Sequence, residues 1–503
     1  MPTMKRFLQI AALFLVTLLA VGAAEPKRPN ILFAIGDDIS WPHMSAYGCT
    51  FVRTPAFDRV AREGVLFQNC FTSNPKCSPS RAALLTGKHT WQLEEACDHF
   101  GIFPSKFKVY PDLLEEQAGY HVGYTGKPWG PGDWKRSGRT RNPAGPMYSE
   151  FKLEPPTSGI NALDYTKNFA AFLKARKPGQ PFCFWYGGFE PHRPYEAGSG
   201  LRAGKKLSDV QVPAFLPDDE IVRNDLLDYA LEIEWFDKHL GQMLKLLEEA
   251  GELENTLVVV TADNGMPFPR VKGNPYEMGH HLPLAIRWGA KIKPGRVVTD
   301  FISFTDMAPT FLEAVGLKPD PQMTGHSFMD VLLSPKSGRV NSARNFVVTG
   351  RERHDIGRPN DQGYPIRVLR TDDYLYLHNF KSDRWPAANP ETGYKDIDNS
   401  PTKRFILSEH EKGESKYWDL AMGMRPEEEL YKISSDRDCV KNLAGDSAYT
   451  KVKEKMWKDL QKFLKEQKDP RILGNGDVFD RYEYTGPRNG LPKPALPNQV
   501  PLP

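Results

Sequence analysis

An α/β fold with a doubly wound sheet, followed by a smaller α+β domain, is what this sequence predicts, and three observations predict it. Short apolar or β-prone runs stop repeatedly at polar, chemically useful residues. Helical stretches fall between those runs, the alternation expected of strand–helix units. After about residue 363 the pattern changes to short strand-like pieces and one more amphipathic helix.

Taken in order, the chain opens with Lys5-Arg6, an apolar run from Phe7 to about Val21, and the small residues Gly22-Ala23-Ala24. That layout reads as a signal peptide over 1–24 and predicts a secreted or periplasmic protein. The run is short for a membrane span, and no Cys follows it to accept lipid, so no stable membrane insertion is expected.

The first strand is Asn30-Ile31-Leu32-Phe33-Ala34-Ile35, ending at Gly36-Asp37-Asp38. Ser78 to Gly87 reads as a helix, with Pro79 tolerated in its first turn and Gly87 closing it, which puts Cys77 at its N-terminus. Free backbone donors at such an end favour an anion. A further helix opens at Pro111 and runs through Asp112 to Ala118.

Tyr120 to Tyr124 is a strand leading into Thr125-Gly126-Lys127, and Phe182 to Tyr186 is one leading to Glu190-Pro191-His192. An amphipathic stretch from Asp219 to Ala250 stops at Gly251. Thr256 to Val260 then ends in Thr261-Ala262-Asp263-Asn264-Gly265. Ligands bind beyond the carboxyl ends of strands in open α/β sheets, so these four ends are expected to share one site.

Gly357 to Gly363 is polar and turn-rich; Tyr374-Leu375-Tyr376-Leu377 reads as strand, Tyr449 to Lys468 as helix, and the Pro- and Gly-rich tail after Ile472 as irregular surface chain.

Bulk composition narrows the functional class. The 503 residues are 26% charged and 40% hydrophobic with a net charge of +3, which argues against disorder, a membrane bundle or a nucleic-acid binder. The six cysteines, at 49, 70, 77, 97, 183 and 439, form no C-x-x-C pair and no dense disulfide framework. Asp37-Asp38 and Asp263-Asn264 supply oxygen donors suited to a hard cation, and the absence of a His or Cys cluster argues against zinc.

Cys77-Ser78-Pro79-Ser80-Arg81, followed by Ala82-Ala83-Leu84-Leu85-Thr86-Gly87, resembles the signature of the type I sulfatases, and the likeness runs from Arg28 to about Ala444. The resemblance implies an alkaline-phosphatase-like fold: a large mixed central sheet flanked by helices in a catalytic domain over 28–362, and a smaller α+β domain over 363–503. It implies that a formylglycine-generating enzyme oxidises Cys77, and that the hydrated aldehyde attacks sulfur. It further implies calcium held by Asp37, Asp38, Asp263, Asn264 and an oxygen of the converted Cys77. In the same scheme Lys127 and Lys272 contact sulfate oxygens, Arg81 orients the aldehyde hydrate, and His192 protonates the leaving atom.

One departure stands out. Many members carry a His two residues after the Lys, whereas this chain reads Gly126-Lys127-Pro128-Trp129, and an indole cannot take a proton. His43, His280, His281 or a water are the candidates to replace it. Asp263 to Pro269, Asn274, Tyr276, Leu377 to Phe380 and Glu429 to Tyr431 are similar to the heparan N-sulfatase (N-sulfoglucosamine sulfohydrolase) branch, while the Trp129 and His280-His281 segments are not. The expected substrate is therefore a sulfated saccharide of glycosaminoglycan type, with N-sulfoglucosamine and an O-sulfated polysaccharide both open. A phosphomonoester or phosphonate hydrolase and a non-catalytic glycan-binding relative remain as alternatives.

Overall fold

The computed structural model describes residues 28–489 and Leu491. The signal-peptide reading of 1–24 lies outside the described residues. Seven strands form the central sheet: β1 (Asn30–Gly36), β2 (Val65–Phe71), β3 (His121–Gly126), β4 (Phe182–Gly187), β5 (Thr256–Ala262), β6 (His281–Arg287) and β7 (Arg296–Ser303), in the order β3-β4-β1-β5-β6-β2-β7. β6 runs antiparallel to both its neighbours and every other pair is parallel. The sheet is therefore mixed rather than purely parallel, and its four predicted strands are the contiguous block β3-β4-β1-β5.

Strand residues alternate between two cores, as a pleated sheet covered on both faces requires. In β1, Leu32 and Ala34 face the helices Pro55–Arg62, Tyr165–Ala175 and Glu220–Glu249, while Ile31, Phe33 and Ile35 face Cys77–Thr86, Tyr110–Ala118 and Met307–Ala314. β1 and β5 are buried along their whole length. Both faces being covered, their sequences read as unbroken apolar runs.

A second, antiparallel sheet joins β8 (Phe346–Arg351), β9 (Ile366–Thr371), β10 (Tyr374–Asn379) and β11 (Glu428–Lys432) in the order β11-β10-β9-β8. β8 precedes residue 363, where the sequence pattern changes. On one face Leu369, Tyr376 and Leu430 pack under the helix Thr450–Glu466 through Met456, Leu460 and Leu464. On the other, Val368, Leu375, Leu377 and Tyr431 meet Tyr276 from the loop after β5.

That contact is reinforced by polar bonds. Tyr276 Oη donates to Glu429 Oε2 at 2.8 Å, Asn379 Nδ2 donates to Glu429 Oε1 at 2.9 Å, and Arg370 Nε donates to Glu277 Oε2 at 2.7 Å. The scattered segments that carry the heparan N-sulfatase resemblance thus touch one another, and together they clamp the loop that bears Lys272. Past Ile472 the tail does not merely lie on the surface: Phe479 and Tyr482 are buried, and Thr485 N donates to Phe100 O at 2.9 Å. Among the described residues no helix is long and apolar enough to cross a membrane.

Candidate active site

Five strand ends meet at one edge of the central sheet. β1 delivers Asp37 and Asp38, β3 delivers Lys127, the segment after β4 delivers His192, β5 delivers Asp263 and Asn264, and the connection after β2 leads into the helix that starts at Cys77. The close approach of β3 and β4 depends on glycine. A Cβ on Gly126 would lie 1.9 Å from the Gly187 carbonyl oxygen, and its φ of +76° disfavours any larger residue.

Helix Cys77–Thr86 is buried at every position and carries no side-chain N-cap bond, and its Gly87 cap has φ +64°. It is pinned by Ser80, whose Oγ donates to the Asp263 carbonyl at 2.5 Å and accepts from Thr72 Oγ1 at 2.8 Å. One turn after Cys77, the Arg81 guanidinium donates from Nε to Asp263 Oδ2 at 2.8 Å and from Nη1 to the Lys127 carbonyl at 2.7 Å. Its Nη2 is buried without a hydrogen-bond partner, 3.9 Å from Asp37 Oδ1.

Asp37, Asp38 and Asp263 are fully buried and bring one carboxylate oxygen each within 4.8 Å of the others. The Cys77 thiol donates to Asp37 Oδ1 at 3.5 Å. Lys127 Nζ donates to Asp37 Oδ2 at 2.5 Å and Lys272 Nζ to Asp38 Oδ2 at 2.7 Å. Asn264 Nδ2 donates to Asp38 Oδ1 at 2.6 Å, which leaves its Oδ1 buried with no partner. An unpaired amide oxygen beside three clustered carboxylates is a set of oxygens that could hold a metal ion.

Electrostatics follow from that crowding. Burial raises the Asp37 carboxyl, and Lys127, with help from His192 and Arg81, more than reverses it, so it sits below its ordinary value. Burial and the neighbouring Asp37 push Asp263 up despite Arg81. Burial and Asp37 likewise push the Cys77 thiol far above its usual range. A cysteine held as a thiol is a poor nucleophile, because the thiolate is the reactive form.

The mouth of the site is a cleft of about 500 Å³ lined by Asp37, Lys127, His192 and Lys272 among the predicted residues. His192 Nδ1 lies 2.7 Å from the Arg193 carbonyl and donates to it, so Nε2 is the nitrogen left for other partners. Every predicted residue is thus brought to this edge of the sheet.

The candidates for the missing proton carrier are elsewhere. His43 bonds Tyr229 at 3.1 Å, His280 faces Thr349 Oγ1 at 3.1 Å, and His281 lies between Glu277 and the Gln68 carbonyl. None lines the cleft. Trp129 is buried, donates Nε1–H to the Ser78 carbonyl at 3.1 Å, and packs edge-on against Phe103. Sequence reasoning missed Lys76, His99, Phe100, Phe189, Asp355 and Asp398, which with Gly130 and Pro131 complete the lining. Only Lys76, beside Cys77, carried a positional signal; Asp355 and Asp398 come from loops of the C-terminal third.

Comparison with known proteins decides what this arrangement is. The Sulfatase family model matches residues 29–317, more than half of the chain. The chain belongs to the sulfatase family. It is a sulfuric ester or sulfamate hydrolase. This sulfatase is 29% identical over 501 residues to an ulvan-active sulfatase of Formosa agariphila, covering 95% of the chain and 90% of that relative. It is 28% identical over 510 residues to the N-sulphoglucosamine sulphohydrolase of Homo sapiens, covering 92% and 95%. The structure of BT4656 with its substrate D-glucosamine-2-N,6-O-disulfate superposes with a TM-score of 0.61 at 20% identity, covering 88% of the chain and 99% of that one. A phosphonate monoester hydrolase from Silicibacter pomeroyi superposes at 0.65 with 17% identity, covering 88% and 97%. Both likenesses place the sulfatase in the alkaline-phosphatase-like fold.

Proposed function

We propose that this sulfatase removes sulfate from a sulfated saccharide with a formylglycine made from Cys77, assisted by a calcium ion. The observation that carries the reading is the convergence of Cys77, three buried carboxylates and two lysines at one sheet edge. The buried thiol, raised rather than lowered, argues against use of Cys77 as a thiolate.

Asp37, Asp38, Asp263 and the unpaired Oδ1 of Asn264 are the oxygens that would hold the cation, and calcium suits such a set. The sulfur of Cys77 is a soft donor and does not match it; an oxygen at the same position does. When present, formylglycine supplies a hydrated aldehyde as nucleophile toward sulfur, and the cation supplies charge that offsets both reactants.

The protein's own groups do the rest. Arg81 ties the helix start to Asp263 and to the Lys127 carbonyl, fixing residue 77. Lys127, paired with Asp37, and Lys272, paired with Asp38, present ammonium groups to the oxygens of a transferred sulfuryl group. His192, at the cleft wall with Nε2 unspent, gives a proton to the departing oxygen or nitrogen.

By their names, the two relatives act on ulvan and on N-sulphoglucosamine. They support a saccharide and leave an O-sulfated polysaccharide and an N-sulfated glucosamine as its two forms. Export by the 1–24 segment and maturation by a formylglycine-generating enzyme belong to the same reading. Sulfate release from matched N- and O-sulfated sugars, with phosphate and phosphonate esters of the same alcohols alongside, tests it. Turnover of the sulfated sugars is expected; turnover confined to the phosphorus esters would overturn the reading.

A further inference from the structure

The part of the cleft beside the sulfuryl position, which shares Lys272 with it, has a consistent chemical character. Lys76 Nζ lies 3.0 Å from Asp355 Oδ2, and Lys272 Nζ lies 3.0 Å from Asp398 Oδ2. In each pair the lysine is the hidden member. The Lys76 and Lys272 side chains are 2% and 4% exposed, whereas those of Asp355 and Asp398 are 20% and 25% exposed. A ligand entering here meets carboxylate before ammonium.

His99 fixes this arrangement from the other side. Its Nδ1 donates to Asp355 Oδ1 at 2.9 Å, and burial lowers the ring to about 4, so at neutral pH it adds no positive charge. Burial opposes ionisation of Asp355, but the Lys76 ammonium, with the hydrogen bond from His99, outweighs it and holds the carboxyl well below its ordinary range. Lys272 and Lys76 do the same for Asp398. Among the described residues lining the cleft there is no arginine; Lys127 and Lys272 serve the sulfuryl position, Lys76 is paired with Asp355, and His192 serves the leaving atom. Phe100 and Phe189 add apolar surface to the lining of the same cleft.

We propose that Asp355 and Asp398, with Phe100 and Phe189, form a donor-seeking subsite that selects a sugar unit bearing one sulfate and rejects a unit bearing a second anionic group. The inference rests on the saccharide sulfatase reading above and adds the substrate class to it. Ionised carboxylates accept hydrogen bonds and give none, so their partners are sugar hydroxyls or an amine, and the aromatic surface suits the C–H face of a ring. A second sulfate or a uronate carboxylate would face two fixed negative charges with no unspent cation to meet it, and such like-charge contacts carry a heavy penalty.

The test compares sugars cleaved at the same position: glucosamine N-sulfate against the N,6-O-disulfate, and glucosamine 6-O-sulfate against the same disulfate, read as kcat/KM for sulfate release. The singly sulfated sugar is expected to be favoured about tenfold or more. In Asp355→Asn the Lys76 ammonium loses its carboxylate, and the disulfated sugar is expected to gain relative to its singly sulfated partner, a change of preference that loss of folding cannot imitate. Equal or faster turnover of the disulfated sugar by the native enzyme, or an unchanged ratio in Asp355→Asn, would overturn the subsite alone. Absence of sulfate release from every sugar would overturn the saccharide reading and the subsite with it.

Discussion

At the scale of single residues, the site is a balance of buried charges that no member could hold alone. Three carboxylates with oxygens within 4.8 Å demand positive charge, and Lys127, Lys272 and Arg81 each supply a bond toward them. The roles of these residues separate experimentally. His192→Gln should lower kcat by about 10²- to 10⁴-fold on sugars with poor leaving groups. With an activated aryl sulfate, whose leaving oxygen needs no proton, the same variant should lose much less; equal losses on both would remove His192 from the acid role. Asp37, Asp38, Lys127, Asp263 and Arg81 were readable in the sequence because each sits at a strand end or within a turn of Cys77, whereas Lys272 and His192 lie in loops and came from the family resemblance. His99, Asp355 and Asp398 were not readable, since a loop carries no periodicity and its partners are chosen by tertiary folding.

The loops at the sheet edge act as elements in their own right. The loop carrying His99 is joined to the one carrying Trp129 by backbone bonds, Asp133 N to Gly101 O at 3.0 Å and Phe103 N to Asp133 O at 3.2 Å. Trp129 fills the space beneath, so the residue that departs from the family pattern buttresses the cleft wall rather than entering the cleft. Trp129→His should therefore destabilise the fold by about 2–4 kcal/mol through the space it leaves. A thermal melt checks this; an unchanged midpoint would mean the indole is not a structural plug.

Asp98, in the same loop, gives a pH signature. Burial pushes its carboxyl from 3.8 up to about 7, against the pull of Arg353. The folded chain thus keeps a proton that the unfolded chain loses. The resulting stability is complete below about pH 4 and is lost as the pH rises through about 7. Asp98→Asn should flatten the decline in melting temperature over that window, and a decline of unchanged slope would rule Asp98 out as its source.

Across the whole molecule, the second sheet works as a clamp on the first. Tyr276, Glu277 and Asn274 follow Lys272 in sequence and are bonded to Glu429, Arg370 and Arg351, the last at 2.7 Å. The same Arg351 holds Asp396 at 2.8 Å, two residues before Asp398. The second sheet therefore positions Lys272 and one wall of the cleft.

The central sheet was legible where its strands are buried on both faces and read as apolar runs. β2, β6 and β7 were not, because Gln68 and Asn69 interrupt the apolar pattern of β2, Pro283 that of β6, and Thr299 and Asp300 that of β7. A cation bound at Asp37, Asp38, Asp263 and Asn264 ties strands β1 and β5 together, so its removal should reach beyond activity. Chelation is expected to lower the melting temperature, and added calcium to restore it in a concentration-dependent way. A melting temperature indifferent to chelator would argue that no cation is held there.

What joins these scales is residue 77, placed at a buried helix start among the carboxylates and lysines. The most direct measurement is the mass of the peptide containing Cys77, taken from enzyme that is releasing sulfate. The expected result is a peptide lighter than the cysteine form, with aldehyde in place of thiol. Fully active enzyme in which every Cys77 remains an unmodified thiol would contradict it.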